Sequence, residues 1–193
     1  MSETDERHEQ EPASAAKDAR VDAVVTFWRD AGWKRWFSKD AGFDADFRAR
    51  FLSLHEEAAA GTLESWTASA HGALALLILL DQFPRNAFRG TSRMFATDAL
   101  ARRYANDAIA AGHDRQVGYA LRAFFYLPFE HSEELGDQDR SLALNHAPEL
   151  EKYAREHRDI IVRFGRFPHR NALLGRASTP DELAFLEAGG FAG

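Results

Sequence analysis

Two stretches of the chain place an arginine and an asparagine just behind a Phe-Pro pair: Phe83-Pro84-Arg85-Asn86-Ala87 and Phe167-Pro168-His169-Arg170-Asn171-Ala172. Each continues through a glycine, Gly90 or Gly175, into hydroxyl residues, Thr91 and Ser92 or Ser178 and Thr179, that can open a helix. Between Asp81 and Asp98 the only charged residues are Arg85, Arg89 and Arg93; between Asp159 and Asp181 they are Arg163, Arg166, Arg170 and Arg176, with His169 among them. A guanidinium fork matches carboxylate and phosphate, and the helix starts after Gly90 and Gly175 would offer free N–H groups to the same anions. The two windows therefore point to anion binding. The competing structural explanation is that these arginines pair with carboxylates of neighbouring helices or bind helix-terminal carbonyls.

A third stretch, Tyr126-Leu127-Pro128-Phe129-Glu130-His131-Ser132-Glu133-Glu134, sets a histidine among acids. Continued as a helix, it would bring Glu130 beside Glu133 and Glu134, and His131 beside Glu134, at one end of the protein. Carboxylates from Asp81 and from this segment would then hold the arginines. His131 or His169 would be the proton carrier of any acid/base chemistry, with an arginine stabilising developing negative charge. The expected ligand-binding set is Asp81, Arg85, Asn86, Arg89, Glu130, His131, Glu133, Arg166, His169, Arg170 and Asn171. No nucleophile is identified, because Ser132 adjoins His131 only in sequence, and no cofactor is specified. Glu130, His131, Glu134 and His169 would bind zinc, iron or manganese only if they met around one point; spacings this short occur by chance on many helices, so no metal ligands are assigned.

The elements that must position these groups are helices. Val21, Val24, Val25 and Trp28 share one face of a first helix, and Phe43, Phe47, Phe51 and Leu54 mark a second. Trp33, Trp36 and Phe37 fall in a glycine-flanked connection between them. A third, strongly apolar helix runs from Trp66 through Leu80 and is expected to stop near Phe83, because proline disfavours helical geometry in the preceding residue. Further helices are expected over 98–111, over 114–126, from Pro128 onward and over 148–164. A last one starts at Thr179-Pro180-Asp181-Glu182, a capping box with proline at the first helical position. No alternating strand pattern competes, so the class is all-α.

Length and composition bound the rest. The 193 residues suit one domain with its own core. Residues 1–20 are read as an acidic disordered tail and 21–193 as a single all-helical domain. A net charge of −6 disfavours nucleic acid as a partner. The absence of cysteine removes disulfides and thiolate chemistry and fits a reducing, cytoplasmic setting. The longest apolar run, 73–80, is too short to cross a membrane.

A family resemblance rests on long motifs: Leu79-Leu80-Asp81-Gln82-Phe83-Pro84-Arg85-Asn86; Arg122 with Phe124; Leu127-Pro128-Phe129-Glu130-His131-Ser132-Glu133; Gln138; and Arg163-Phe164-Gly165-Arg166-Phe167-Pro168-His169-Arg170-Asn171 through Leu174-Gly175-Arg176, Ser178 and Thr179. Over nearly everything after residue 20 the chain resembles the bacterial domain of unknown function family 924. The resemblance implies antiparallel helix pairs in a tetratricopeptide-like right-handed array, although the usual repeat consensus is not legible here. It implies no activity.

Three functional readings remain. A pocket built from the residues above would bind a small anionic ligand. A helical-repeat module would bind a protein partner through an exposed groove, with Trp33 and Trp36 on its apolar floor and its arginines already neutralised. A metal-assisted or acid/base hydrolase would need its ligands to converge.

Overall fold

A computed structural model of the chain describes residues 18–191. Among them there is no strand. The helices are α1 (Ala19–Trp36), α2 (Ala41–Ala59), α3 (Ala70–Leu77), α4 (Phe83–Ala87), α5 (Asp98–Ala110), α6 (Ala123–Glu130), α7 (Leu135–Leu144), α8 (Pro148–Phe164) and α9 (Pro180–Glu187). Helix α3 is buried except at His71 and packs against α1, α5 and α6; α2 packs on α4, and α6, α7 and α8 follow as neighbouring pairs. Apolar faces of α1 to α6 merge into one core. A smaller cluster of Ile160, Ile161 and Phe167, with Phe164, Phe185 and Phe191 against it, anchors the C-terminal loop to α8.

Most of the expected helices form where their apolar spacing places them, and the differences have identifiable causes. Residues 18–20 do not belong to the tail: Asp18 caps α1 by accepting the Arg20 N–H at 2.9 Å, and its carboxylate also takes the Trp66 indole N–H at 3.0 Å. The rest of the expected tail lies outside the described residues. The Trp33–Trp36 turn is part of α1, set off by a kink at Gly32, whose φ of 71° is a left-handed value that glycine adopts without strain. Trp66 sits in a 3₁₀ turn (Glu64–Ala68), and α3 opens only at Ser69, which accepts the Gly72 N–H. In place of one helix over 114–126 there are two 3₁₀ turns and the start of α6, and Pro128 sits inside α6 rather than opening a new helix.

The expected stop at Phe83 is the most instructive correction. The helix does not end there; it widens into a π turn over Ile78–Gln82 and continues as α4, with Phe83 itself helical. Pro84 has no N–H for the carbonyl four residues back, that of Leu80, and its ring crowds that carbonyl. The Leu80 carbonyl instead accepts the Thr97 hydroxyl at 2.5 Å, and the Leu79 carbonyl accepts from His55 Nδ1 at 2.9 Å. Side chains from two other parts of the chain thus satisfy the loosened turn, and the turn carries Asp81. Removing the hydroxyl with Thr97→Val should cost about 1–3 kcal/mol, the penalty for an orphaned buried carbonyl. Urea unfolding measures it, and a loss below about 0.5 kcal/mol would show that the turn does not depend on this bond.

Candidate functional site

Asp81, presented by the π turn, is almost completely buried and accepts hydrogen bonds from His131 Nδ1 at 2.8 Å and from Gln82 Nε2 at 2.6 Å. Arg85, one turn on, lies 3.1 Å from the same carboxylate and forms a two-pronged pair with Asp98 at 2.9 and 3.1 Å. A carboxylate can only accept, so His131 carries its proton on Nδ1, and its Nε2 remains the acceptor. His131 terminates α6, and that terminus is held by Gln138, whose amide donates to the Glu130 and Ser132 carbonyls at 2.7 and 2.6 Å.

Arg85, His131, Glu130 and Arg170 line a cavity of about 410 Å³, together with Asn86, Arg89, His157 and His169. Its remaining wall is mostly aromatic and aliphatic, with Ser38, Lys39 and Gln82 among it. The two Phe-Pro loops therefore meet, and Asp98 is where they do so: its second oxygen lies 3.7 Å from Arg170 NH1.

Arg170 differs from every other arginine of the two basic windows that lies near the cavity. Its guanidinium is buried and lies over the rings of Phe95 and Phe167, at 4.6 and 4.5 Å from their centroids. Its Nε has no partner, and among the described residues its long approach to Asp98 is its sole ion pair. Burial and the neighbouring Arg85 charge lower its pKa to about 10, so it remains a cation at neutral pH.

The other titratable groups are shifted by the same enclosure. Burial opposes ionisation of Asp81, but the Arg85 charge and the hydrogen bonds from His131 and Gln82 outweigh it and hold the carboxyl below its ordinary range. Burial, then the Asp81 charge, raises Glu130 to about 8, which makes it a protonated acid at neutral pH. Burial lowers His157 to about 3, and burial with the Arg170 charge lowers His169 to about 4. His131 is also lowered, by burial and then by Arg85. The wall thus combines neutral imidazoles, a neutral carboxylic acid, the Arg85 and Arg170 cations, Arg89 paired with Asp44, and the exposed Lys39.

Other residues of the expected set are tied to the protein's own carboxylates. Arg89 pairs with Asp44 at 2.6 Å, and Asn86 donates to the same carboxylate at 2.8 Å. In the second loop Arg166 pairs with Glu182 at 2.6 Å, and Asn171 donates to Glu182 at 3.2 Å. The sequence echo thus has a local meaning: each asparagine braces a carboxylate that neutralises an arginine, while Arg85 and Arg170, immediately before the asparagines, reach the cavity. Arg93 pairs with Glu56 and Arg176 with Glu133. For these arginines the structural explanation holds. Glu133, Arg166 and Asn171 do not line the cavity.

Two further expectations are corrected. Glu130, Glu133 and Glu134 do not share a face, because α6 ends at Glu130: Glu133 turns away to Arg176 and the Phe167 N–H, and Glu134 starts α7. Ser132 is buried and accepts the Glu134 N–H. Nor do the loop helices offer open N-termini. A 3₁₀ turn of four residues follows Gly90, and the Thr179 capping box fills the start of α9 with its own Glu182 carboxylate. No group of three or more His, Asp or Glu residues among the described residues is arranged to hold a metal ion. No helix among them is long and apolar enough to cross a membrane.

The sequence missed Asp98 and His157. Asp98 stands at the start of α5, where an acidic residue reads as a helix-dipole partner. His157 had a usable signal: it lies three residues from both Ala154 and Ile160, on the buried stripe of α8. Its Nδ1 donates to the Tyr153 carbonyl at 2.8 Å and lies 3.4 Å from Glu130.

A family model described as "Bacterial protein of unknown function (DUF924)" matches residues 24–190. Among solved structures, the chain is similar to the protein of unknown function ATU0120 from Agrobacterium tumefaciens, with 51% identity and a TM-score of 0.87 over 89% of this chain and 98% of that one. No curated protein matches.

Proposed function

The chain belongs to the DUF924 family of bacterial proteins, whose description carries no activity, and we propose that its cavity binds a small anionic ligand, a carboxylate or a phosphate, on Arg170, with Arg85 and His131 beside it. The observation that carries this reading is the Arg170 guanidinium. It is buried, held by cation–π contacts, and among the described residues supplied with no good acceptor, whereas Arg89, Arg93, Arg166 and Arg176 each have one. A buried cationic donor without an acceptor is costly, and a ligand anion entering the cavity would supply that acceptor. A protein-docking module gives no reason to leave a buried arginine of this cavity unsatisfied.

Thermal unfolding against acetate, benzoate, phosphate and nucleotide salts tests the reading. A ligand at a hundred times its dissociation constant adds about 2.7 kcal/mol, which raises the midpoint of a chain this size by roughly 5–10 °C. The shift should appear in the wild type and be lost in a folded Arg170→Met variant. Equal shifts in both proteins would refute it.

One observation favours a second reading, that the bound anion also undergoes proton transfer. Asp81 fixes the tautomer of His131 so that Nε2 can take a proton, and protonated Glu130 on the same wall can give one. With a turned-over ligand in hand, His131→Gln would abolish turnover while leaving binding within a fewfold of wild type.

A further inference from the structure

The charges and the walls of the cavity are of different kinds, and together they narrow the ligand. We propose that the occupant is a monoanionic carboxylic acid with an apolar body of several carbons, its carboxylate on Arg170 and its hydrocarbon against Trp33, Phe37 and Tyr153. This rests on the anion-site reading and specifies its substrate class.

Charge balance argues for a single negative charge. Arg85 is already shared between Asp81 and Asp98, and Arg89 is paired with Asp44, so Arg170 is the buried cation left to the ligand; Lys39, the other cation of the lining, is exposed. A second negative charge on the head group would lie near the buried Asp98 and Asp81 carboxylates, where repulsion between like charges is stronger than in bulk water. A phosphate dianion would also want several converging donors or an open helix N-terminus, and the helix starts of both arginine loops are closed by their own turns and caps. Glu130, being protonated near neutrality, adds no charge and can donate a hydrogen bond to a carboxylate.

The walls argue for the apolar body. Trp33, Phe37 and Tyr153 are 51%, 50% and 48% exposed, and all three line this one cavity. Exposed aromatic surface gathered at the mouth of a pocket marks a binding surface rather than a folding core. The arrangement is built in: the left-handed kink at Gly32 turns the end of α1, and Trp33 and Phe37 hold each other edge to face at 4.8 Å. About 410 Å³ is far more than acetate or phosphate fills and lies within the range of sites for small organic molecules.

Calorimetric titration of the full-length protein at pH 7 with propanoate, hexanoate, octanoate, octan-1-ol, hexyl phosphate and inorganic phosphate decides the matter. Burying a methylene strengthens binding by about fourfold, so hexanoate should bind roughly 50-fold more tightly than propanoate. Octanol should bind far more weakly than octanoate, and hexyl phosphate more weakly than hexanoate. Trp33→Ala should lower hexanoate affinity much more than propanoate affinity, and Arg170→Met, shown by circular dichroism to be folded, should erase the preference for acid over alcohol. Acids that bind without dependence on chain length, or a phosphate that outcompetes hexanoate, would overturn the proposal and leave the anion site standing. If octanol matches octanoate, or if no probe binds at 10-millimolar order (~10 mM, far above the micromolar to millimolar range of functional small-molecule sites), both fail.

Discussion

Replacing Asp81 by asparagine should destabilise the protein by about 3 kcal/mol, at the lower end of the cost of breaking a buried ion pair. Asparagine keeps the shape and one acceptor, so no cavity opens; what is lost is the charge. Arg85 would keep only Asp98, and the imidazole of His131 would lose the carboxylate that fixes its tautomer. For a chain of this length the loss lowers the thermal midpoint by roughly 6–12 °C, and in urea it should move the midpoint without changing the slope. Asp46→Asn is the control: its pair with Arg50 is exposed, so its removal should cost well under 1 kcal/mol. Similar losses in the two variants would show that the Asp81 cluster carries no special weight. The direction of pH dependence follows from the depressed Asp81 pKa: its contribution is present above the carboxylate range and is lost as pH falls through the folded-state value.

Glu130→Gln should do the opposite and stabilise the protein at alkaline pH. The folded-state pKa of Glu130 is about 8, against 4.5 unperturbed. Between those values the folded protein holds a proton that the unfolded chain has released, so stability falls as pH rises through this window. At about pH 8.5 the accumulated cost is on the order of 4 kcal/mol. Glutamine, neutral at every pH, removes it, so the variant should gain stability over the wild type as pH rises and match it near pH 5. His157 and His169 act on the acid side. Their folded-state values of about 3 and about 4 lie below 6.5, so stability is lost as pH falls below that value. Unfolding midpoints of both proteins from pH 5 to 9 measure the effect; parallel curves would mean that Glu130 is ionised in the fold.

Much of this was legible in the chain. The three-and-four spacing of Val21, Val24, Val25 and Trp28, and of Phe43, Phe47 and Phe51, placed the buried faces of α1 and α2, and the Thr179-Pro180-Asp181-Glu182 signature placed the start of α9. Arg85 and Arg170 were found through an echo of residue types that survives as geometry, and His131 and Glu130 through the histidine set among acids after Pro128. What stayed hidden depended on partners distant in sequence. The basic windows looked unneutralised because Asp44, Glu56, Glu133 and Glu182 arrive from other segments. Pro84 read as a helix stop because the rule for proline does not see Thr97, whose hydroxyl satisfies the carbonyl that proline leaves free. The acids after Pro128 read as one cluster because their spacing assumed a helix that ends at Glu130.

The claim at the centre of this account is that Arg170 is an arginine kept for a ligand. Arginine side-chain NMR of the full-length protein tests it most directly, with Nε–H resonances followed while benzoate is added at pH 7. Arg170 should shift and saturate while Arg166, already bound to Glu182, stays in place. If Arg170 does not move, or if exposed arginines such as Arg93 move first and without saturation, the buried guanidinium is part of the scaffold and the cavity is not an anion site.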